Sequence, residues 1–212
     1  MISMLCGSTF AGAFLLSISA YAQPFSLGVI GGASLTEDFQ NYDRDVGYGY
    51  TALAYSTPYR WMAGGTAEAR LPFHLSVEVD GIFHELEFST QVLGNGLKPY
   101  LVPAHVVTWE FPILVKYRFP LPAQFSTWSR VKPFIDAGPA FRSAGNLSWT
   151  SPSNDGVAAG LGVEVHLWKL KIASQFRYLR WARDQNIREE EQHFVPSTVV
   201  DQVEFLTAIS FP

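Results

Sequence analysis

The residues of this 212-residue chain whose types could do chemistry are few, and they are widely spaced. His74 and Ser76 stand two apart, a spacing that puts both side chains on one face of a strand. An imidazole beside a hydroxyl is the start of nucleophilic acyl chemistry. His84, His105 and His193 have carboxylates such as Glu85 and Glu190 close by in sequence, with no nucleophile at a recognisable spacing. Asp43-x-Asp45 offers two oxygen ligands to a cation, without the remaining ligands and glycine of a calcium loop. The run Glu189, Glu190 and Glu191, with Arg183 and Arg188 nearby, reads as a solvated acidic segment. None of these sets predicts a catalytic centre, a cofactor or a metal.

The charges become more informative once the elements that carry them are read. In Val107 to Phe119 the odd positions are all apolar or aromatic, while the even ones include Thr108, Glu110, Lys116 and Arg118. Period-two alternation predicts a strand with one apolar and one charged face. Trp109 and the pair Tyr117/Phe119 bracket the apolar run at a separation that spans about 20–25 Å for a tilted strand, the height of a hydrocarbon band between aromatic girdles. The same alternation predicts seven more strands: 24–33, 60–71, from Phe73 to His84, 131–142, 156–166, 169–181 and 201–211. The long connections fall at 34–59, 88–106, 143–155 and 182–200, the short ones at 71–72 and 167–168, and 120–130 is intermediate. Pro112, Pro133 and Pro139 lie inside strands and predict bulges or shifted ends, because proline cannot donate to a ladder.

Composition narrows the class. Hydrophobic residues make up 48% and charged ones 16%, yet no stretch after residue 22 offers the ~18 apolar residues of a membrane helix. Aromatic residues reach 15%, as expected of a chain built from strands and interface rings. A net charge of −4 argues against a nucleic-acid footprint, which needs a basic face. Phe10 to Ile18 followed by Ala20-Tyr21-Ala22 reads as a signal peptide over 1–22, cleaved at Ala22, although no Lys or Arg precedes Arg44. Cys6 would leave with it, and residues 23–212 would form the barrel domain.

Over nearly all of residues 24–211 the chain resembles the small eight-stranded outer-membrane β-barrel proteins of Gram-negative bacteria, the OmpA-like and OmpX-like barrels. Its end is the sharpest part of that resemblance: Val203, Phe205, Thr207, Ile209 and Phe211 are similar to the C-terminal signal that hands such proteins to the barrel-assembly machinery, with Pro212 added after the aromatic. The resemblance implies an all-β, antiparallel, up-and-down transmembrane barrel in the outer membrane. It implies short turns facing the periplasm, outer-membrane lipids and lipopolysaccharide as neighbours, and a monomer without cofactor. The role implied is structural or one of surface interaction through the extracellular loops. A narrow porin-like pore and an outer-leaflet lipid A acyl-modifying enzyme are the rival activities; a soluble lipocalin-like barrel would require every strand to be turned inside out.

This parity assigns an inward charge network of Glu68, Arg70, Glu78, Asp80, Glu110, Lys116, Arg118, Lys132, Asp136, Arg142, Glu164, Lys171, Arg177 and Glu204, with Arg60 at its edge. Acids and bases nearly balance in it. An eight-stranded barrel is just wide enough for side chains to fill, so the network reads as a polar plug. The outward aromatics Trp61, Phe73, Phe83, Trp109, Tyr117, Phe119, Phe141, Trp168, Tyr178 and Phe211 read as membrane girdles. The tyrosines of the first loop, Tyr42, Tyr48, Tyr50, Tyr55 and Tyr59, are interleaved with acids and suit a contact surface.

Overall fold

The computed structural model describes residues 25–56, 60–94, 100–120, 131–144, 154–167, 169–182 and 198–211. Residues 1–22, read as a signal peptide, with Cys6 among them, and Tyr59, Trp168, Arg183, Arg188, the acidic run 189–191 and His193 lie outside the described residues. Alternation of side chains does drive these residues into strands: β1 (Ser26–Ser34), β2 (Tyr42–Gly47), β3 (Tyr50–Ser56), β4 (Trp61–Arg70), β5 (Leu75–Gly94), β6 (Tyr100–Arg118), β7 (Val131–Ala144), β8 (Asp155–Leu167), β9 (Leu170–Trp181) and β10 (Asp201–Phe211). Eight of them close an antiparallel barrel in the order β5-β4-β1-β10-β9-β8-β7-β6, sealed by β5–β6 pairing. The expected fold class is therefore the observed one.

Two connections differ from expectation. The segment 34–59, read as a loop, contains the β2–β3 hairpin, and β3 pairs with the far end of β5 from Tyr50↔Gly94 to Ser56↔Phe88. The segment 88–106 is mostly strand as well: β5 and β6 run on past the barrel and stay paired to Val92↔Tyr100. A four-stranded sheet, β2-β3-β5-β6, thus stands above one side of the barrel mouth. The hairpin turns through Tyr48 and Gly49, both at positive φ (54° and 77°), as a tight two-residue turn of this hand requires. Above the mouth one face no longer has to be apolar, so the alternation that reveals the lower strands fades there.

The prolines also behave differently from the expectation of bulges. Pairing lapses between Val79↔Ile113 and Ile82↔Glu110 beside Pro112, and between Pro112↔Ala140 and Val115↔Ala137 beside Pro139, then resumes in the same register. Past Pro133 and Pro139 the β7–β8 register is continuous from Val131↔Val165 to Phe141↔Asp155. The flanking ladders hold the alignment, and each proline removes only local bonding.

At the opposite end the connections are short. β4 turns into β5 through Leu71 to His74, with Phe73 and His74 in left-handed conformation (φ 63° and 65°) and Leu71 N donating to Leu75 O at 2.9 Å. β8 and β9 pair up to Leu167↔Leu170, so Leu167, expected in the turn, belongs to β8, and Lys169 lies in the turn.

Candidate functional site

The barrel wall presents two environments. Inside, even-numbered positions of β4 to β6 and their partners are buried and largely charged: Glu68, Glu78, Asp80, Glu110, Lys116, Arg118, Asp136, Arg142, Glu164, Lys171, Arg177 and Glu204. Arg70 is half-buried at the short-turn end, whereas Lys132 is exposed there and Arg60 is exposed at the other end, where it pairs with Glu37 at 3.7 Å. Losing those bases upsets the expected balance. Among the described residues eight buried carboxylates, counting Asp38, face five buried Lys and Arg side chains plus His84.

The tier nearest the short turns is tightly paired. Arg118 on β6 donates to Glu68 on β4, to Glu164 on β8 at 3.0 Å and to Ser76 on β5 at 2.9 Å. Lys171 on β9 bonds Glu68 and, at 3.1 Å, Ser26 on β1. Four strands are therefore tied to one another through two carboxylates, and Arg118 and Lys171 extend the tie to β5 and β1. His166 sits 3.2 Å from Glu164 and 3.2 Å from Arg70, completing the tier. A tier higher, Lys116 pairs with Glu78 and lies 4.4 Å from the centre of the Phe134 ring, and Arg177 meets Asp80 at 2.5 Å. Gly160 makes room here, since a Cβ on it would collide with the Asp136 carboxylate. Apolar clusters fill what the charges leave: Ile30, Met62, Ile82, Phe134 and Leu206 in one, Leu114, Leu179 and Trp181 in another.

The outer end of the lumen is built differently. His84 lies between two buried carboxylates, Nε2 3.7 Å from Asp38 Oδ1 and Nδ1 3.7 Å from Glu110 Oε1. Arg142 stacks 4.4 Å over Trp181, whose Nε1 donates to Gln202 at 2.5 Å. Asp38 comes from the first loop, which dips into the mouth. Its backbone N and that of Phe39 donate to Ser56 Oγ at 3.3 Å, its carbonyl accepts from Val199 N at 2.9 Å, and Phe39 bridges to Thr198. Phe39 then packs edge-on against Phe88 (4.8 Å) over Leu86 and Val106, a small apolar cap on the charged lumen. Burial pushes the Asp38 carboxyl from 3.8 up to about 6, with His84 opposing the rise and Glu110 adding to it. His84 shares the even, inward parity of Glu78 and Asp80 on its strand, whereas Asp38 and Phe39 sit in a polar loop with no periodicity to mark them.

Among the candidates for chemistry, His74 and Ser76 separate: His74 is exposed in the turn, and Ser76 is fully buried against Arg118. The left-handed backbone at His74 ends the alternation that would have aligned them. His105 lies on the outer wall 3.4 Å from Glu85 and 3.8 Å from Glu87. Asp45 accepts from Gly47 N at 2.8 Å, so it serves the hairpin turn. No group of three or more His, Cys, Asp or Glu side chains that could hold a metal occurs among the described residues.

Outside, the wall is apolar. Trp61, Phe83 and Trp109 touch across β4, β5 and β6 (6.5 and 5.6 Å between ring centres), with Phe141 and Tyr178 exposed on β7 and β9. Ten residues further along β6, Tyr117 and Phe119 pair edge-on at 5.1 Å, and Phe211 is exposed on β10. Phe73, 86% exposed, lies in the turn rather than on a strand. Between the two rings the described outward side chains carry no charge: Leu27 and Val29, Val79, Ile113 and Val115, Ile135, Leu161 and Val163, Phe205 and Ile209 are examples. Ser174 and Thr207, polar residues in this zone, bond each other at 3.0 Å. Outward charges begin beyond it, at Glu85, Glu87, Arg180 and Asp201.

No protein-family model matches the sequence, and neither does any curated protein. Solved structures with a similar course of chain include Neisserial surface protein A (NspA), at 14% identity and a TM-score of 0.48 over 88% of this chain and 94% of that one. The transport unit of the autotransporter AIDA-I from Escherichia coli aligns at 10% identity and a TM-score of 0.31, over 96% and 97%. What the protein does must therefore be read from its own geometry.

Proposed function

We propose that this chain is an outer-membrane β-barrel protein of Gram-negative type, with a structural or surface-interaction role carried by the sheet and loops above its outer mouth. One observation carries the reading: a closed barrel whose outer wall is an uncharged apolar band bounded by aromatic rings, and whose interior holds the charges. Ten residues of tilted strand between Trp109 and Phe119 correspond to about 25 Å, the height of a bilayer's hydrocarbon band. A closed barrel satisfies its ladders internally, as hydrocarbon demands. Under this reading residues 1–22 are a signal peptide removed near Ala22, the short turns face the periplasm, and the Val203-to-Phe211 strand is what the barrel-assembly machinery engages. Membrane lipids and lipopolysaccharide surround a monomer, and nucleic acid is no partner.

The filled lumen favours a plug over a porin-like channel. Arg118 and Arg177 reach across it to carboxylates on non-adjacent strands, with Lys116 paired to Glu78 beside Arg177. The reading assigns no catalysis, since His74 and Ser76 do not meet. The test is fractionation of the expressed protein, followed by gel mobility with and without boiling in detergent, and conductance in planar bilayers. An outer-membrane band that shifts on heating, with no steady conductance, is expected. A soluble protein without a shift would overturn the bilayer reading, and steady single-channel steps would replace the plug by a pore.

A further inference from the structure

The charges of the lumen are not spread evenly along its axis. In the tier nearest the short turns, Glu68 and Glu164 are answered by Arg118 and Lys171. Three more cations stand at that end, Arg70, Lys132 and Lys169, and the described residues there supply no further acid. The tiers above lean the other way, with six buried carboxylates to three buried Lys and Arg side chains plus His84 among the described residues. An anion is therefore drawn to the short-turn mouth and repelled from the lumen beyond it.

One contact fixes where at that mouth the attraction is greatest. β4 and β8 stand four places apart in a ring of eight strands, on opposite sides of the barrel. Arg70, the last residue of β4, nonetheless reaches His166 on β8, Nη2 to Nε2 at 3.2 Å. The guanidinium thus lies across the mouth rather than along the wall. An imidazole that accepts this bond does so as a neutral base, so it leaves the charge of Arg70 uncompensated. Lys132 and Lys171 act on the same imidazole from β7 and β9, the strands on either side of β8. Against them stands Glu164, Oε1 3.2 Å from that Nε2, but it is fully buried and its Oε2 accepts from Arg118. Lys171 is taken up by Glu68, whereas Arg70 and Lys132 form no ion pair with a described residue.

Two uncompensated cations, one of them a planar fork, match a doubly charged tetrahedral oxyanion. Because the contact spans the ring of strands, it is reached along the barrel axis, whereas a lipid headgroup lies outside the ring. We propose that Arg70, Lys132 and His166 form a binding site for a small phosphate-bearing solute at the short-turn mouth of the lumen. Arg70 and Lys132 meet its charge, and His166 holds the guanidinium across the mouth. The site follows from the closed barrel alone; that it opens to the periplasm rests on the bilayer reading.

The test titrates inorganic phosphate calorimetrically into the folded barrel in zwitterionic detergent at low ionic strength. Saturable binding is expected, with acetate about tenfold weaker. Arg70→Gln should lower the affinity about tenfold and the exposed Lys132→Gln about threefold. Arg60→Gln, at the opposite end, should leave it unchanged, and all three variants should keep the heat-shifted gel band. Absence of saturable binding, or binding unmoved by both Arg70→Gln and Lys132→Gln, would overturn the site. Acetate bound as tightly as phosphate would overturn the phosphate assignment. Phosphate binding abolished by a minor fraction of phosphatidylglycerol in the micelle would overturn the soluble ligand in favour of a lipid headgroup. Phosphate binding by a wild-type protein that shows no heat-shifted band would uphold the site and overturn the bilayer reading.

Discussion

The two ends of the lumen hold similar residues in different states of completion. At the short-turn end, Glu68 accepts direct hydrogen bonds from Arg118 and Lys171 and Glu164 accepts one from Arg118, the two cations also donate to Ser76 and Ser26, and these groups come from six of the eight barrel strands. At the outer end His84 stands 3.7 Å from each of Asp38 and Glu110, beyond direct bonding, and both oxygens of Asp38 lack a hydrogen-bond donor among the described residues. The inner end is made of strand residues only, whereas the outer end borrows Asp38 from a loop. Contacts between strands are fixed by register; a loop can leave. The difference separates a staple, which sets how the barrel closes, from a cap, which can be docked or released without reopening the barrel.

The staple should break first and hardest. Replacing Arg118 by Met leaves Glu68 with Lys171 alone and strips Glu164 of its bonded guanidinium, with both carboxylates buried. Removing one partner of a buried ion pair costs about 3–5 kcal/mol, because the remaining charge keeps its desolvation penalty. The urea midpoint for loss of the heat-shifted band should fall accordingly. A loss below about 1 kcal/mol would mean that water reaches the tier and the ion pairs there are no more than surface pairs.

That contrast also marks what could be read from the chain. The strands lining the staple are legible because each outward residue must be apolar and each inward one must not. Glu68, Arg118 and Glu164 fall out of that rule with nothing else known. The cap is hidden because Asp38 and Phe39 obey a constraint set by where the first loop lands, and neighbours such as Ser56, Phe88 and Thr198 are 17, 49 and 159 positions away. The β2–β3 hairpin is missed for a related reason. Above the mouth, Ala52 and Ala54 are buried while Thr51 and Leu53 are half-buried, so hydrophobicity no longer tracks the face. Lys132 and Arg60 mislead in the opposite direction: their parity is inward, but they stand at strand ends where an inward side chain can turn to solvent.

The cap, unlike the staple, should respond to mild pH. Asp38 titrates at about 6 when docked and at 3.8 when free, so the docked loop binds the proton more tightly. Its contribution to docking is full below about pH 4 and is lost as pH rises through about 6, by roughly 3 kcal/mol for a shift of about two units. His84, Glu110, Glu37 and Arg142 are the charged groups that face Asp38, and all are included in that balance. Hydrogen exchange of the 36–40 amides, corrected for intrinsic rates, should therefore quicken between about pH 4 and about pH 8, and Asp38→Asn should flatten the profile. Exchange that slows over the same range would show that attraction to a charged His84 outweighs the cost of burial.

The smallest effect sharpens the comparison from outside. Arg60 meets Glu37 at 3.7 Å, one residue before Asp38, but the two side chains are 56% and 47% exposed. Water and salt screen such a pair, and holding two flexible side chains together offsets much of its attraction. Arg60→Ala should thus change the docking free energy of the loop by no more than about 0.5 kcal/mol, in the same exchange measurement at fixed pH. Should it match the effect of Asp38→Asn, the loop would be held by charges around the rim, and the buried triad of Asp38, His84 and Glu110 would be filling rather than a fastening. If it stays small while the Asp38 profile holds, the fastening lies inside the mouth, one residue from a pair that looks equivalent in sequence.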